Sequence, residues 1–113
     1  MNVVFILKGD PFSWLANEAF RVALALAINN EVYFIAVRDG VYVFTDWNPE
    51  FLKIEGFGKI FETIEYVDIK LIVEDVSAEE RGLKEKDFKV KVDIKSYEEI
   101  KKIINSAEAV FVW

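Results

Sequence analysis

At 113 residues the chain has room for one compact domain built on one core, and 53% apolar and 15% aromatic residues are ample to fill it. Its formal net charge of −6, from 20 acidic and 14 basic residues, argues against direct binding of a nucleic-acid backbone or an anionic membrane. Cysteine and histidine are both absent, which excludes zinc sites of the usual type, disulfides, persulfide carriage and every triad that needs those residues. Glutamine is missing too, while lysine and glutamate are plentiful, a balance that suggests a heat-adapted source.

In chain order, Asn2 to Leu7 is a continuous apolar run rich in β-branched residues, the pattern of a strand buried on both faces of a parallel sheet. It lacks a basic leader and a small-residue cleavage site, so it reads as a strand and the protein as cytoplasmic. No apolar run approaches the roughly 18 residues that a membrane helix needs. Asp10 is placed to cap a helix whose first position is Pro11 and which runs from about Phe12 to Ile28, closed by Asn29-Asn30. Glu31 to Val37 is a second strand, ending in the turn Arg38-Asp39-Gly40. Val41 to Trp47 has strand composition, but a short turn or helix fits it equally well.

Asn48-Pro49 opens a helical stretch that Gly56 and Gly58 interrupt and that resumes from Lys59 to Tyr66. Asp68 to Val73 is a third strand. Ser77 and Glu80 have capping-box spacing and Gly82 is a stop signal, so a short helix is expected between them. Phe88 to Ile94 alternates as a half-exposed strand does. Ser96 and Glu99 form a second capping box, opening a helix to about Ser106, and Ala109 to Trp113 is a final apolar strand. Strands alternating with helices predict a three-layer α/β/α sandwich around a mostly parallel sheet of about five strands, flavodoxin-like in general architecture.

Two faces invite a partner. On a wheel of about 100° per residue, Leu15, Ala19, Val22, Ala23 and Leu26 of the first helix gather on the side expected to face the sheet. Leu24 and Ile28 fall among the polar residues Asn17 and Arg21, with Phe20 at the edge. A helix apolar on both sides is covered on both sides. Either a loop of the same chain lies over Phe20, Leu24 and Ile28, or they line a subunit interface. Trp14 and Trp47 follow strands in turns, where they either cap the core or serve as interface anchors. The last helix is an ordinary surface element: Tyr97, Ile100, Ile103 and Ile104 share one face, opposite Glu98, Lys101, Lys102 and Asn105.

Ligands of open α/β sheets bind beyond the carboxyl ends of the strands. Those ends carry Asp10, Asp39, Glu74 and Asp75, weak candidates for holding Mg²⁺ or Ca²⁺ through oxygen; the alternative is a cap, a turn and solvated loop residues. Lys8-Gly9-Asp10 is neither a P-loop nor a dinucleotide fingerprint, and an aspartate at the helix start repels phosphate. Ser13 and Ser77 have no histidine to activate them and are explained as helix-start residues. No catalytic constellation and no cofactor site stands out.

Taken together, the long first helix, the Asp39-Gly40-Val41-Tyr42 turn, Asn48-Pro49, and the strand 68–73 leading into Ser77-Ala78-Glu79-Glu80-Arg81-Gly82-Leu83 resemble the DsrE/DsrF-like sulfur-relay family over nearly the whole length. The likeness is nearest to its DsrF/TusC branch. It implies one DsrE/DsrF-like domain over 1–113, acting as a subunit in a dimer of heterotrimers that passes persulfide sulfur between cysteines. Such relays serve thiolation of a tRNA wobble uridine or dissimilatory sulfur metabolism. The essential thiol belongs to the DsrE/TusD-like subunit, in the loop after the third strand. That loop here is Glu74-Asp75-Val76-Ser77, so the thiol role does not transfer and the scaffold role does. The resemblance implies cysteine-bearing DsrE-like and DsrH-like partners, or self-association with another ligand.

Overall fold

In a computed structural model of the chain, the residues described are 1–10, 14–45, 62, 64 and 66–113, and for Trp14 the backbone alone. Five strands form one sheet: β1 (Asn2–Leu7), β2 (Glu31–Ala36), β3 (Ile69–Glu74), β4 (Asp93–Lys95) and β5 (Ala109–Val112). Their order is β4-β3-β2-β1-β5 and every pairing is parallel. Helix α1 (Trp14–Ala27) joins β1 to β2, α2 (Asp75–Glu80) follows β3, and α3 (Tyr97–Ser106) joins β4 to β5. This is the expected α/β sandwich on a parallel sheet.

The central strands are buried on both faces, as their unbroken apolar runs require. Val3, Phe5, Leu7, Phe34, Ala36, Leu71 and Val73 point to the α1 side, where they meet Phe20, the α1 alanines, Val41, Val43 and Phe44. Val4, Ile35 and Ile72 point the other way and are covered by Ile100 of α3, with Ile103 and Ile104 beside it. Stacked rings tie the larger core together, with Phe20 and Phe34 only 4.0 Å apart between centroids.

The structure turns α1 relative to the wheel reading. Its buried stripe is Ala16, Asn17, Ala19, Phe20, Ala23 and Ala27, whereas Leu15 is 60% exposed and Val22 is exposed as well. Small alanines let the helix lie close on the sheet, leaving room for one large ring, so size rather than hydrophobicity selects the inner face. Asn17, read as a mark of solvent, is buried and has a polar partner. The interface assignment for Phe20 is therefore corrected. Phe20 is completely buried within this chain and Leu24 packs against the same core. Ile28, just past the helix, stays exposed.

Three further elements differ from the sequence reading. Residues Arg38–Phe44 form a 3₁₀ helix whose Val41, Val43 and Phe44 plug the core, which resolves the ambiguous segment up to Phe44. Of the alternating 88–94 run only Asp93 and Ile94 join the sheet, in β4 with Lys95; Phe88 instead bridges Thr45 in antiparallel fashion, and Lys89 N–H donates to the Phe44 carbonyl. The run leaves the sheet because it serves to brace the 3₁₀ helix. Tyr97, placed on the buried face of α3, is exposed, while Ile100 alone is fully covered. The helices expected after Asn48-Pro49, the cap geometry at Pro11, and Trp47 lie outside the described residues.

The start of α3 and the end of α1 follow their sequence signals. Ser96 Oγ accepts from Glu99 N–H, and the Glu99 carboxylate accepts from Ser96 N–H. Asn30 Nδ2 donates to the Leu26 carbonyl at the end of α1.

Candidate functional site

Parallel pairing brings the carboxyl ends of β1, β2 and β3 to one edge. Leu7 is in register with Ala36 and Ala36 with Val73, so the segments that follow Leu7, Ala36 and Glu74 leave the sheet side by side. Gly40 is what allows the middle one to do so. A Cβ on it would lie 2.1 Å from the Leu7 carbonyl oxygen, so no side chain fits. Val37 N–H donates to that same Leu7 oxygen, tying the turn to β1.

Ser77 is the hub of this edge. It is 3% exposed, in the third position of α2 rather than at its cap. The expected capping box at Ser77 and Glu80 is therefore corrected: the helix begins three residues earlier, with Glu74 in the cap position. Ser77 Oγ donates to Glu74 Oε1 and accepts the main-chain N–H of Arg38 at 2.8 Å. Arg38 has a φ of 51°, a left-handed conformation that a non-glycine residue holds only when its surroundings compel it. The bond to Ser77 is one such constraint.

Arg81, one turn after Ser77, closes the cluster. Its Nη2 and Nε reach Asp39 Oδ1 at 2.9 and 3.1 Å, and its Nη1 reaches the Ser77 carbonyl at 3.1 Å. The Asp39 carboxylate is solvent-exposed, so this pair orients more than it stabilises. Gly82 then ends α2 at a φ of 68°, with Gly82 N–H on the Glu79 carbonyl and Leu83 N–H on the Ala78 carbonyl. Both bonds of a Schellman stop are thus made, as the glycine signals.

Chemically, the edge is fastened rather than reactive. The Ser77 hydroxyl is out of solvent and has both a donor and an acceptor role filled. Three of the four carboxylates proposed for a cation have partners within the chain: Asp39 is held by Arg81, Glu74 by Ser77, and Asp75 accepts its neighbour Val76 N–H at 2.7 Å. Among the described residues no three acidic side chains are grouped as a metal site. Sequence reasoning marked Asp39, Glu74 and Ser77 but missed Arg38 and Arg81 as their partners. The spacing of four between Ser77 and Arg81 was the available signal for the second; nothing in the sequence pairs Arg38 with Ser77. At the opposite, amino end of the strands, Met1, Ile28, Asn30, Glu31 and Asp68 line a shallow open groove.

Among the described residues no helix is long and apolar enough to cross a membrane. No curated protein matches the chain in sequence. Solved structures share its fold, among them two that cover nearly the whole chain. The ychN protein from E. coli superposes with a TM-score of 0.84 at 19% identity, covering 100% of this chain and 99% of its own. MTH1491 from Methanobacterium thermoautotrophicum, described as a protein of unknown function, superposes with a TM-score of 0.74 at 16% identity, covering 99% and 98%. The sequence itself matches the DsrE/DsrF-like family over residues 1–113, and the chain belongs to that family.

Proposed function

We propose that this chain is a non-catalytic, cytoplasmic scaffold subunit of a sulfur-relay complex, of the DsrF/TusC branch, which assembles with a cysteine-bearing paralogue acting in tRNA thiolation or sulfur metabolism. The observation that carries the reading is the loop after β3. In a family whose relay subunit keeps a thiol there, this chain has Glu74-Asp75-Val76-Ser77, and the serine hydroxyl is consumed in holding Arg38 and Glu74. A chain without cysteine cannot hold a persulfide, so its contribution is shape and assembly.

The test is co-purification with the cysteine-bearing paralogue from the same genome, followed by sulfur transfer with labelled persulfide. A stable complex in which all label sits on the partner, and in which transfer to an acceptor is faster than by the partner alone, supports the scaffold role. Two proteins that elute separately and transfer that is indifferent to this chain would sink it. The alternative, a divalent-cation domain using Asp10, Asp39, Glu74 and Asp75, has less support because Asp39 and Glu74 already have protein partners. Calorimetric titration with Mg²⁺ and Ca²⁺ decides it.

A further inference from the structure

The two edges of the sheet are built in opposite ways. The β4 edge is three residues long, carries Asp93 and Lys95, and is preceded by Lys89 and Lys91; short charged edges resist pairing with another chain. The β5 edge has no charge from Ala109 to Trp113, and no described residue pairs with its outer side. Val110 and Phe111 are each 41% exposed and Val112 is 56% exposed. An apolar edge strand with free backbone groups is a template for another strand.

Its side chains also end an internal structure abruptly. A row of rings crosses the α1 face of the sheet, from Phe20 to Phe34 at 4.0 Å, Phe34 to Phe5 at 6.3 Å, and Phe5 to Phe111 at 5.2 Å. Trp113 stacks on Phe5 at 5.5 Å from the same side. The row stops at Phe111, half in water.

We propose that β5 pairs antiparallel with β5 of a second copy of this chain, about a two-fold axis at Phe111, joining the two sheets and continuing the aromatic row from one copy into the other. The strand is self-complementary in that arrangement. Phe111 lies opposite Phe111, Val110 opposite Val112, and the small Ala109 opposite the large Trp113, each pair on one face of the joined sheet. The nearest charged side chain, Glu108, does not meet its own copy: antiparallel pairing places the two about 20 Å apart at a rise of ~3.4 Å per residue, beyond the screening length of about 8 Å. A chain of net charge −6 meets repulsion on self-association, and the edge from Ala109 to Trp113 adds no charged side chain to it. The inference does not rest on the sulfur-relay reading.

The absence of native cysteine makes the test direct. Across an antiparallel two-fold, opposed Cα atoms lie about 4.5–5.5 Å apart, within disulfide range. Phe111→Cys is expected to form a covalent dimer under mild oxidation, whereas Tyr97→Cys, exposed on α3, is not. Wild-type mass by light scattering is expected to be an even multiple of 13.1 kDa, and Val112→Lys is expected to halve it while leaving the circular dichroism unchanged. A monomeric wild type, a Val112→Lys protein that keeps its mass, or a Phe111→Cys that cross-links no better than Tyr97→Cys would each overturn the proposal. Retained mass with no cross-link would place self-association on another face.

Discussion

The Ser77 hydroxyl oxygen receives the main-chain N–H of Arg38 from 39 positions earlier in the chain, at 2.8 Å, and so locks the turn after β2 to the helix after β3. Ser77→Ala removes that acceptor and leaves the Arg38 N–H and the Glu74 carboxylate without it. The expected loss is about 0.5–1.5 kcal/mol, the net worth of an intramolecular hydrogen bond between part-buried groups. Urea unfolding of the two proteins checks it; an unchanged midpoint would mean that the Arg38 conformation is held by other contacts.

The same loop makes a claim about access. Val76 is 50% exposed while its neighbour Ser77 is buried. In this cysteine-free background, Val76→Cys should react with a thiol reagent at nearly the rate of a free peptide. Ser77→Cys should react more slowly by on the order of tenfold or more, because its thiol must wait for local opening. Equal rates would show that the start of α2 opens readily and that the fastening described above is weak.

Gly40→Ala forces a Cβ onto the Leu7 carbonyl, where backbone rather than a pliable side chain must give way. A loss of about 3 kcal/mol, the upper range for overpacking, is expected. Thermal melts that coincide with wild type would show that β1 and the 3₁₀ helix can separate without cost.

Burial separates two residues of α1 and its exit that the wheel placed together. Phe20→Ala should cost about 3–5 kcal/mol, as emptying a core ring site does, with the same loss at every protein concentration. Ile28→Glu should change stability by no more than about 0.5 kcal/mol, being at an exposed position. A Phe20→Ala protein as stable as wild type would contradict the packing of α1.

Acid should weaken the fold through two exposed carboxylates. Glu31 accepts from the Lys70 ammonium and the Tyr33 hydroxyl, which hold its pKa below the ordinary 4.5. Glu99 is lowered by the Ser96 N–H at the start of α3. A pKa lowered by folding means that the unfolded chain binds more protons just below 4.5. The stabilisation is therefore complete above that value and is lost as pH falls through the lowered folded pKa. Lys70 is raised by Glu31, so its share persists below 10.5 and fades only as pH climbs through the raised value. Urea midpoints of wild type, Glu31→Gln and Glu99→Gln should differ at neutral pH and converge in acid. Parallel curves at all pH values would remove both carboxylates from the acid response.

Much of this was legible in the sequence because it is local. The β1 run, the Ser96–Glu99 capping box and the Gly82 stop each involve residues within a few positions of one another, and each element formed where its signal lies. The absence of cysteine and histidine removed thiol chemistry, and the order of motifs carried the family resemblance. What required the tertiary structure is everything set by residues distant in sequence. Alanines outcompeted leucines for the inner face of α1 because the sheet lies close beneath them. Phe88–Val92 left the sheet to brace the 3₁₀ helix. Ser77 became a fastener instead of a cap because Arg38 sits opposite it only after β2 and β3 have paired. Hydrophobic periodicity reports which residues prefer burial, but not which neighbour will bury them, and that choice falls to the packing of the whole chain.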